Sequence, residues 1–466
     1  MELNAIVWMN SFTPIFSFAA WTEITPLLAT ANAYETDSLI LAGVLLSLVV
    51  IYLASKIGGE LSNQMGLPPL LGELVGGVIV GVSALHLLVF PESGANSSNS
   101  VIINFLQATA GLGPNEASAV FETQSEVLSV FAELCVLVLL FRIGLESNLS
   151  ELLKVSVQAT LVAVAGVAIP FAAGTVGLIT LFGVPVLPAI FAGAALTATS
   201  ISISCRVLLE LGRLNSKEGQ IILGAAVIDD FLSIIILAAV ARLAKTGELD
   251  LFNVLYLTIS ASSFLLGAIL LGRFFNKFFV AIADKLLTRG RLVIPAFIFA
   301  LGMAYFATAI RLEGILGAFA AGLVLDETDK REELQQQVIP IADLLVPIFF
   351  VTIGAKFDLG VLNPAIPSNR EGLLIATFLM VVTILGKVVA GFAAFGQTQI
   401  NRLAIGVGMI PRGEVVLVFA VVGANGVLSK SLEAAIITMV ILTTFLTPLL
   451  LRFVFDHPGV TAVKSK

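Results

Sequence analysis

Two adjacent aspartates, Asp229 and Asp230, sit inside an otherwise apolar run, Gly219-Gln220-Ile221-Ile222-Leu223-Gly224-Ala225-Ala226-Val227-Ile228-Asp229-Asp230-Phe231-Leu232-Ser233-Ile234-Ile235-Ile236. A helix of this composition crosses lipid, and a charge at mid-bilayer costs about 3 kcal/mol on the lenient insertion scales, so a carboxylate there marks a functional site. Buried carboxylates can carry protons or hold hard cations, and they need a buried cation nearby or they neutralise. Lys387 is the candidate partner: it lies mid-segment in Val381-Val382-Thr383-Ile384-Leu385-Gly386-Lys387-Val388-Val389-Ala390, with no acid within a turn of its own segment. Successive helical residues differ by about 100°, so the two aspartates cannot face one partner equally. One can pair with Lys387 while the other faces a cavity.

The positions that frame these charges are polar or helix-breaking. Thr197, Thr199, Ser200, Ser202 and Ser204 place five hydroxyls in eight positions of an apolar segment. Such a stretch bonds its own backbone carbonyls and loosens the helix, which at membrane depth survives only against a cavity or inside protein. A second segment, Val407-Gly408-Met409-Ile410-Pro411-Arg412-Gly413-Glu414-Val415, is interrupted by a proline between glycines, with Arg412 and Glu414 beside the break. Proline removes a backbone hydrogen bond and the glycines soften what is left.

The elements that must position these groups are apolar crossings. With 466 residues, 58% hydrophobic and only 12% charged, and a mean hydropathy of +1.03, the chain reads as an all-α polytopic membrane protein. A net charge of −7 without a basic run argues against nucleic acid as a partner. Cys135 and Cys205 fall in apolar stretches and His86 and His457 are isolated, which excludes a histidine triad and any Cys/His metal spacing. Stretches long enough to span lie near 37–57, 67–90, 126–146, 155–182, 186–211, 218–241, 251–272, 291–311, 313–327, 338–359, 371–397, 401–425 and 431–455, about thirteen crossings. A basic amphipathic stretch at 273–289 follows the 251–272 crossing, and a short apolar hairpin at 101–113 interrupts the longest polar break. Residues 1–36, with Trp8 and Trp21, read as an interfacial or targeting segment, and 456–466 as a short tail. Of 25 basic residues, 17 flank one set of alternate loops and 6 the other, which puts the C-terminus in the cytoplasm.

An internal echo organises these segments. Leu70-Leu71-Gly72-Glu73-Leu74-Val75-Gly76-Gly77 resembles Ile315-Leu316-Gly317-Ala318-Phe319-Ala320-Ala321-Gly322, and Leu140-Phe141-Arg142-Ile143-Gly144 resembles Phe350-Val351-Thr352-Ile353-Gly354, in the same order. Equivalent crossings are an odd number apart, so the repeats have inverted topology. Two discontinuous helices at matching repeat positions point to a transport site near the midplane.

The ordered set Leu-Gly-Glu-Leu (71–74), Leu-Phe-Arg-Ile-Gly-Leu-Glu (140–146), Thr-Ala-Thr-Ser (197–200), Asp-Asp (229–230), Gly-Lys (386–387) and Pro-Arg-Gly-Glu (411–414) resembles the monovalent cation:proton antiporter superfamily, in its bacterial, electrogenic two-aspartate sodium/proton branch, over residues 37–455. The resemblance implies a secondary transporter rather than an enzyme, exchanging Na⁺ or Li⁺ for H⁺ by alternating access in the service of pH and salt homeostasis. It implies no cofactor beyond the transported ions. It also implies a homodimer in lipid, in a bacterial inner membrane or an internal energised one, with two crossed broken helices. Core helices are expected at about 126–241 and 338–425 or 371–455, and dimerisation helices at about 37–90 and 251–327. By motif, Asp230 is the ion- and proton-binding carboxylate and Asp229 the partner of Lys387, with Thr199 and Ser200 offered where some relatives place an acid. Thr197, Pro411, Arg412 and Glu414 support the breaks, and Glu73 is read as counter-ion to Arg412 and Glu414. The nearest rival is a K⁺/H⁺ exchanger or potassium-efflux system of the same fold, weakened by the absence of a soluble nucleotide-binding domain after 455. A bile-acid-type symporter suits the buried lysine less well. An intramembrane aspartic protease would need its two acids on separate segments, and a purely structural pair would show no ion-dependent flux.

Overall fold

The computed structural model describes residues 18–246, 251–363, 365, 367–396, 400–413, 416 and 427–456, with backbone alone at some helical positions such as 18–36. Glu414, the far half of the 401–425 segment and the tail beyond 456 lie outside the described residues. Every regular element among the described residues is helical. In chain order they are α1 (Phe18–Gln64), α2 (Pro69–Val80), α3 (Val101–Ala110), α4 (Pro114–Glu146), α5 (Leu149–Lys154), α6 (Ser156–Phe182), α7 (Val186–Ala195), α8 (Ile201–Glu210), α9 (Lys217–Thr246), α10 (Leu251–Lys285), α11 (Val293–Ala309), α12 (Gly314–Asp326), α13 (Arg331–Lys356), α14 (Pro367–Gly391), α15 (Arg402–Gly408) and α16 (Lys430–Asp456). Seven of them, α1, α4, α6, α9, α13, α14 and α16, are long and apolar enough to cross a membrane.

Each apolar stretch seen in the sequence holds a helix, with differences in extent. The hairpin expected at 101–113 is the single helix α3, closed by Gly111 in the left-handed region, and α4 already starts at Pro114. The stretch at 186–211 is two helices, α7 and α8, separated by non-helical backbone at 196–200. The basic stretch 273–289 is no separate element to residue 285, because α10 continues unbroken from 251; no proline interrupts this run, so nothing in the backbone ends the helix. The first helix likewise runs through the boundary drawn at residue 36.

The helices pack in two groups. α1, α2, α4, α11, α12 and α13 lie against one another, and α6, α7, α9, α14, α15 and α16 form the other group around the aspartates. The expected division put 126–146 with the aspartates and, in one of its two forms, 338–359 as well. Their helices, α4 and α13, instead pack along α12 and α2 in the first group.

Glycines explain that placement. A Cβ on Gly77 of α2 would lie 2.3 Å from the Val351 carbonyl oxygen of α13, and one on Gly354 would lie 2.3 Å from that of Leu74. A Cβ on Gly144 of α4 would lie 2.3 Å from the Phe319 oxygen of α12, and one on Gly322 would lie 2.3 Å from that of Phe141. Only glycine permits such backbone approach, which is how helices pack tightly in lipid. These are the residues matched by the sequence echo: Gly77 corresponds to Gly322, and Gly144 to Gly354. Each half contributes one helix to each crossing, so the first half's α2 meets the second half's α13 and the second half's α12 meets the first half's α4. Arg142 of α4 also binds Asp343 of α13 at 2.6 Å.

Candidate functional site

α9 carries the two aspartates, 0% and 1% exposed respectively. Lys387 of α14, also 0% exposed, places Nζ 3.2 Å from Oδ1 and 3.2 Å from Oδ2 of Asp229. It also donates to the Thr197 carbonyl oxygen at 2.9 Å. Two ions taken out of water lose several kcal/mol of hydration each, and their attraction offsets this only when further hydrogen bonds complete the geometry. The Thr197 carbonyl supplies that bond, and it is free to do so because the helix is broken there.

Backbone irregularity at 196–200 exposes carbonyls at the C-terminal end of α7, where the helix dipole is negative. Arg412, 0% exposed, fills that end. Its guanidinium donates to the carbonyl oxygens of Leu196 at 2.6 Å, Thr197 at 3.4 Å and Ala198, and to Thr199 Oγ1 at 3.3 Å. The fork of an arginine suits several acceptors at once.

The second interruption lies against the first. α15 ends at Gly408, and residues 410–413 are non-helical. Ser200 donates its backbone N–H to the Pro411 oxygen at 2.8 Å, Thr199 Oγ1 donates to the Met409 oxygen at 3.1 Å, and Ser204 Oγ donates to the Gly408 oxygen at 2.7 Å. The Arg412 carbonyl in turn accepts from Thr444 of α16 at 2.8 Å. Each break thus satisfies the backbone groups the other frees, as burial requires.

Asp230 points elsewhere. It lines a narrow cleft with Ala198, Thr199, Ser200, Ile201, Glu313, Ile315 and Gly413. A larger cavity of about 500 Å³ adjoins it between the two helix groups, and shares Glu313, Ile315 and Gly413 with the cleft. Arg412 forms part of its floor, and Lys356 and Glu133 lie along its wall.

Of the residues singled out from sequence, Asp229, Asp230, Lys387, Thr197, Thr199, Ser200, Pro411 and Arg412 come together here. Glu73 does not. Its carboxylate lies 3.9 Å from Arg206 of α8, which also binds Glu210 at 2.7 Å, so the counter-ion role towards Arg412 is corrected. The reason is the short reach of α2, whose first turns lie beside α8, where the Leu70 amide donates to Glu210. Sequence reasoning missed Ser233, whose hydroxyl is 3.4 Å from that of Thr197, although it stands one helical turn beyond Asp229. It also missed Glu313, whose only signal is an acid directly before the glycine-rich start of α12.

Residues 25–457 match the family described as sodium/hydrogen exchanger, transmembrane. The chain is 58% identical over 434 residues to the high-affinity Na⁺/H⁺ antiporter NhaS3 of Synechocystis sp., covering 92% of this chain and 94% of that one. It is 31% identical over 425 residues to the Na⁺/H⁺-K⁺ antiporter GerN of Bacillus cereus, covering 90% and 98%. The sodium proton antiporter MjNhaP1 of Methanocaldococcus jannaschii has a similar fold, with a TM-score of 0.61 at 15% identity over 90% of this chain and all of that one. The chain is therefore a multi-pass membrane protein of the sodium/hydrogen exchanger family, within the monovalent cation:proton antiporter superfamily.

Proposed function

We propose that the protein exchanges Na⁺ for H⁺ across its membrane at Asp230, with the Asp229–Lys387 pair carrying a second proton. The observation that carries this is the division of the two aspartates. Asp229 is bound by Lys387 through both oxygens, while its neighbour lines the cleft that adjoins the large cavity.

The coupling follows from charge balance. Asp229, Asp230, Lys387 and Arg412 are all buried, two negative and two positive. A proton or a hard cation can neutralise Asp230, and neither can do so while the other is bound. Their movements are thereby opposed. A cation drawing on Asp229 as well would weaken its hold on Lys387, and a buried lysine losing its counter-ion sheds its proton. Oxygens of Thr199 and Ser200, which line the cleft, suit the remaining ligands.

Several architectural features belong to the same proposal. The echoing glycine crossings support an inverted repeat of six helices each around α10, giving about thirteen crossings with the two interruptions crossing one another. We place α6 to α9 and α14 to α16 in a moving core and the remaining helices in a fixed, dimer-forming group, with the basic loops and C-terminus cytoplasmic. No step of the exchange needs a cofactor. K⁺ is the second candidate ion, since one relative's name includes it.

Antiport measured in proteoliposomes with Na⁺, Li⁺ and K⁺ offered in turn, at clamped potential, tests the reading. Flux with K⁺ alone would replace Na⁺ by K⁺. Ion-dependent proton flux of undiminished rate in Asp230→Asn would overturn the site.

A further inference from the structure

The walls of the large cavity have counterparts in the other repeat. At the start of α12 the wall is 312–315, and beside it stand Glu133 of α4 and Lys356 of α13. The echo pairs 315–322 with 70–77 and 350–354 with 140–144. Carried along the same helices, it turns these wall positions into 67–70 at the start of α2, Asp343 of α13 and Glu146 of α4. Inverted repeats exchange membrane faces. The counterparts therefore mark the mouth that opens when the aspartates turn to the face of the basic loops.

In this structure ions shut that mouth. Glu73 of α2 and Arg206 and Glu210 of α8 have side chains only 7%, 12% and 10% exposed. Arg206 is held firmly within its own helix, by Glu210 one turn on at 2.7 Å. Its tie across the boundary between the helix groups is longer, with Glu73 Oε1 3.9 Å away. A second tie crosses beside it. Helix α2 starts behind Pro68, which offers no capping side chain, and its Leu70 amide donates to Glu210 Oε2 at 3.3 Å. A helix N-terminus favours such a carboxylate. The other groups that act on Glu73 are Ser55 of α1 and Asp343 of α13, both from its own side, and Asp343 is itself bound to Arg142 at 2.6 Å.

A guanidinium with one partner on each side of a boundary can release one without being stranded. When α8 moves with the aspartates, Glu210 travels with Arg206 and keeps its charge answered, while Glu73 stays with the fixed group. The contact that breaks is the long one, which costs far less than robbing a buried ion of its only partner. We propose that Arg206 is the gate cation on the face of the basic loops, latching the moving core to Glu73 and the start of α2 while the aspartates face the large cavity. This rests on the proposed movement of the core against the fixed group. Its consequence is a bias: the latch favours the state open to the large cavity over the opposite one.

The test is Na⁺-driven proton movement in vesicles of defined orientation, with Na⁺ supplied to one face at a time. A latch that favours one state raises the KM on the face that state closes. Glu73→Gln leaves Arg206 on Glu210, and it is expected to lower the ratio of KM values, face of the basic loops over opposite face, by about threefold. A carboxylate that merely attracts cations would raise that ratio on removal, and a merely structural one would leave it unchanged; either result overturns the gate. Arg206→Gln should lower the ratio as well, and combining it with Glu73→Gln should lower it no further than the single variants do. Additive shifts would overturn the pairing. Should Arg206→Gln fail to fold, Glu73→Gln alone decides. Asp230→Asn run alongside keeps the claims apart: abolished flux there with an unmoved ratio in Glu73→Gln sinks only the gate. Persisting flux in Asp230→Asn overturns the exchange site, and the ratio still decides the gate.

Discussion

Lys387 holds both carboxylate oxygens of Asp229 at 3.2 Å and caps the broken backbone at Thr197 with the same ammonium group. One side chain thus ties the charge of α9 to the interruption between α7 and α8. Disturbing the pair disturbs the break.

Lys387→Ala is expected to lower the thermal midpoint of the detergent-solubilised protein, because removing one partner of a buried pair costs about 3–5 kcal/mol. It should also abolish net charge movement per cycle. Recording transport currents on solid-supported membranes checks the second part; an unchanged current per ion exchanged would rule it out.

Asp229→Asn and Asp230→Asn should differ in kind. The first leaves Lys387 buried without its counter-ion and destabilises the fold by several kcal/mol. The second leaves the Lys387–Asp229 pair intact, so it should cost less stability while removing the ion-binding charge. Thermal melts paired with flux assays distinguish them, and equal destabilisation would contradict the division of roles.

Arg412→Ala strips donors from the carbonyls of Leu196, Thr197 and Ala198. Buried acceptors left unpaired cost about 1–3 kcal/mol each, so a loss of folded protein in detergent is expected. Arg412→Lys, which keeps the charge and loses the fork, should fall between. Size-exclusion profiles after graded heating would show that order.

Gly144→Val and Gly354→Val should be about equally damaging, because the added atoms meet carbonyl oxygens 2.3 Å away in each crossing. Overpacking of this kind costs at least about 1–3 kcal/mol. Gly302→Val, on α11 with no atom within 4 Å, serves as the tolerated comparison. Expression and melting of the three variants test the equivalence of the two crossings.

Much of this was legible in the chain. The apolar stretches announced their helices because lipid forces every backbone group to be satisfied within a segment. The hydroxyl-rich run at 197–204 and the proline at 411 announced their breaks because the chemistry that loosens a helix is local. The buried charges stood out for the same reason: their cost depends on the segment, not on its neighbours.

Partnership was less legible. Glu73 looked like a counter-ion for Arg412 because both are buried and opposite in sign, yet it lies beside Arg206. Sequence also placed α4 and, in one of two divisions, α13 with the aspartates, whereas their glycines dock them on α12 and α2.

By itself the sequence determined which segments are helical, where two of them break, and which charges must be answered inside the protein, since these follow from each residue's own cost in lipid. Helix geometry alone left open which aspartate turns to Lys387, and the motif resemblance supplied an expectation. Only the tertiary structure showed Lys387 on both oxygens of Asp229, Asp230 in the cleft, and Arg412 on the carbonyls of Leu196, Thr197 and Ala198. A helix fixes the angle between neighbouring side chains but not its own rotation, and that rotation is set by packing against other helices.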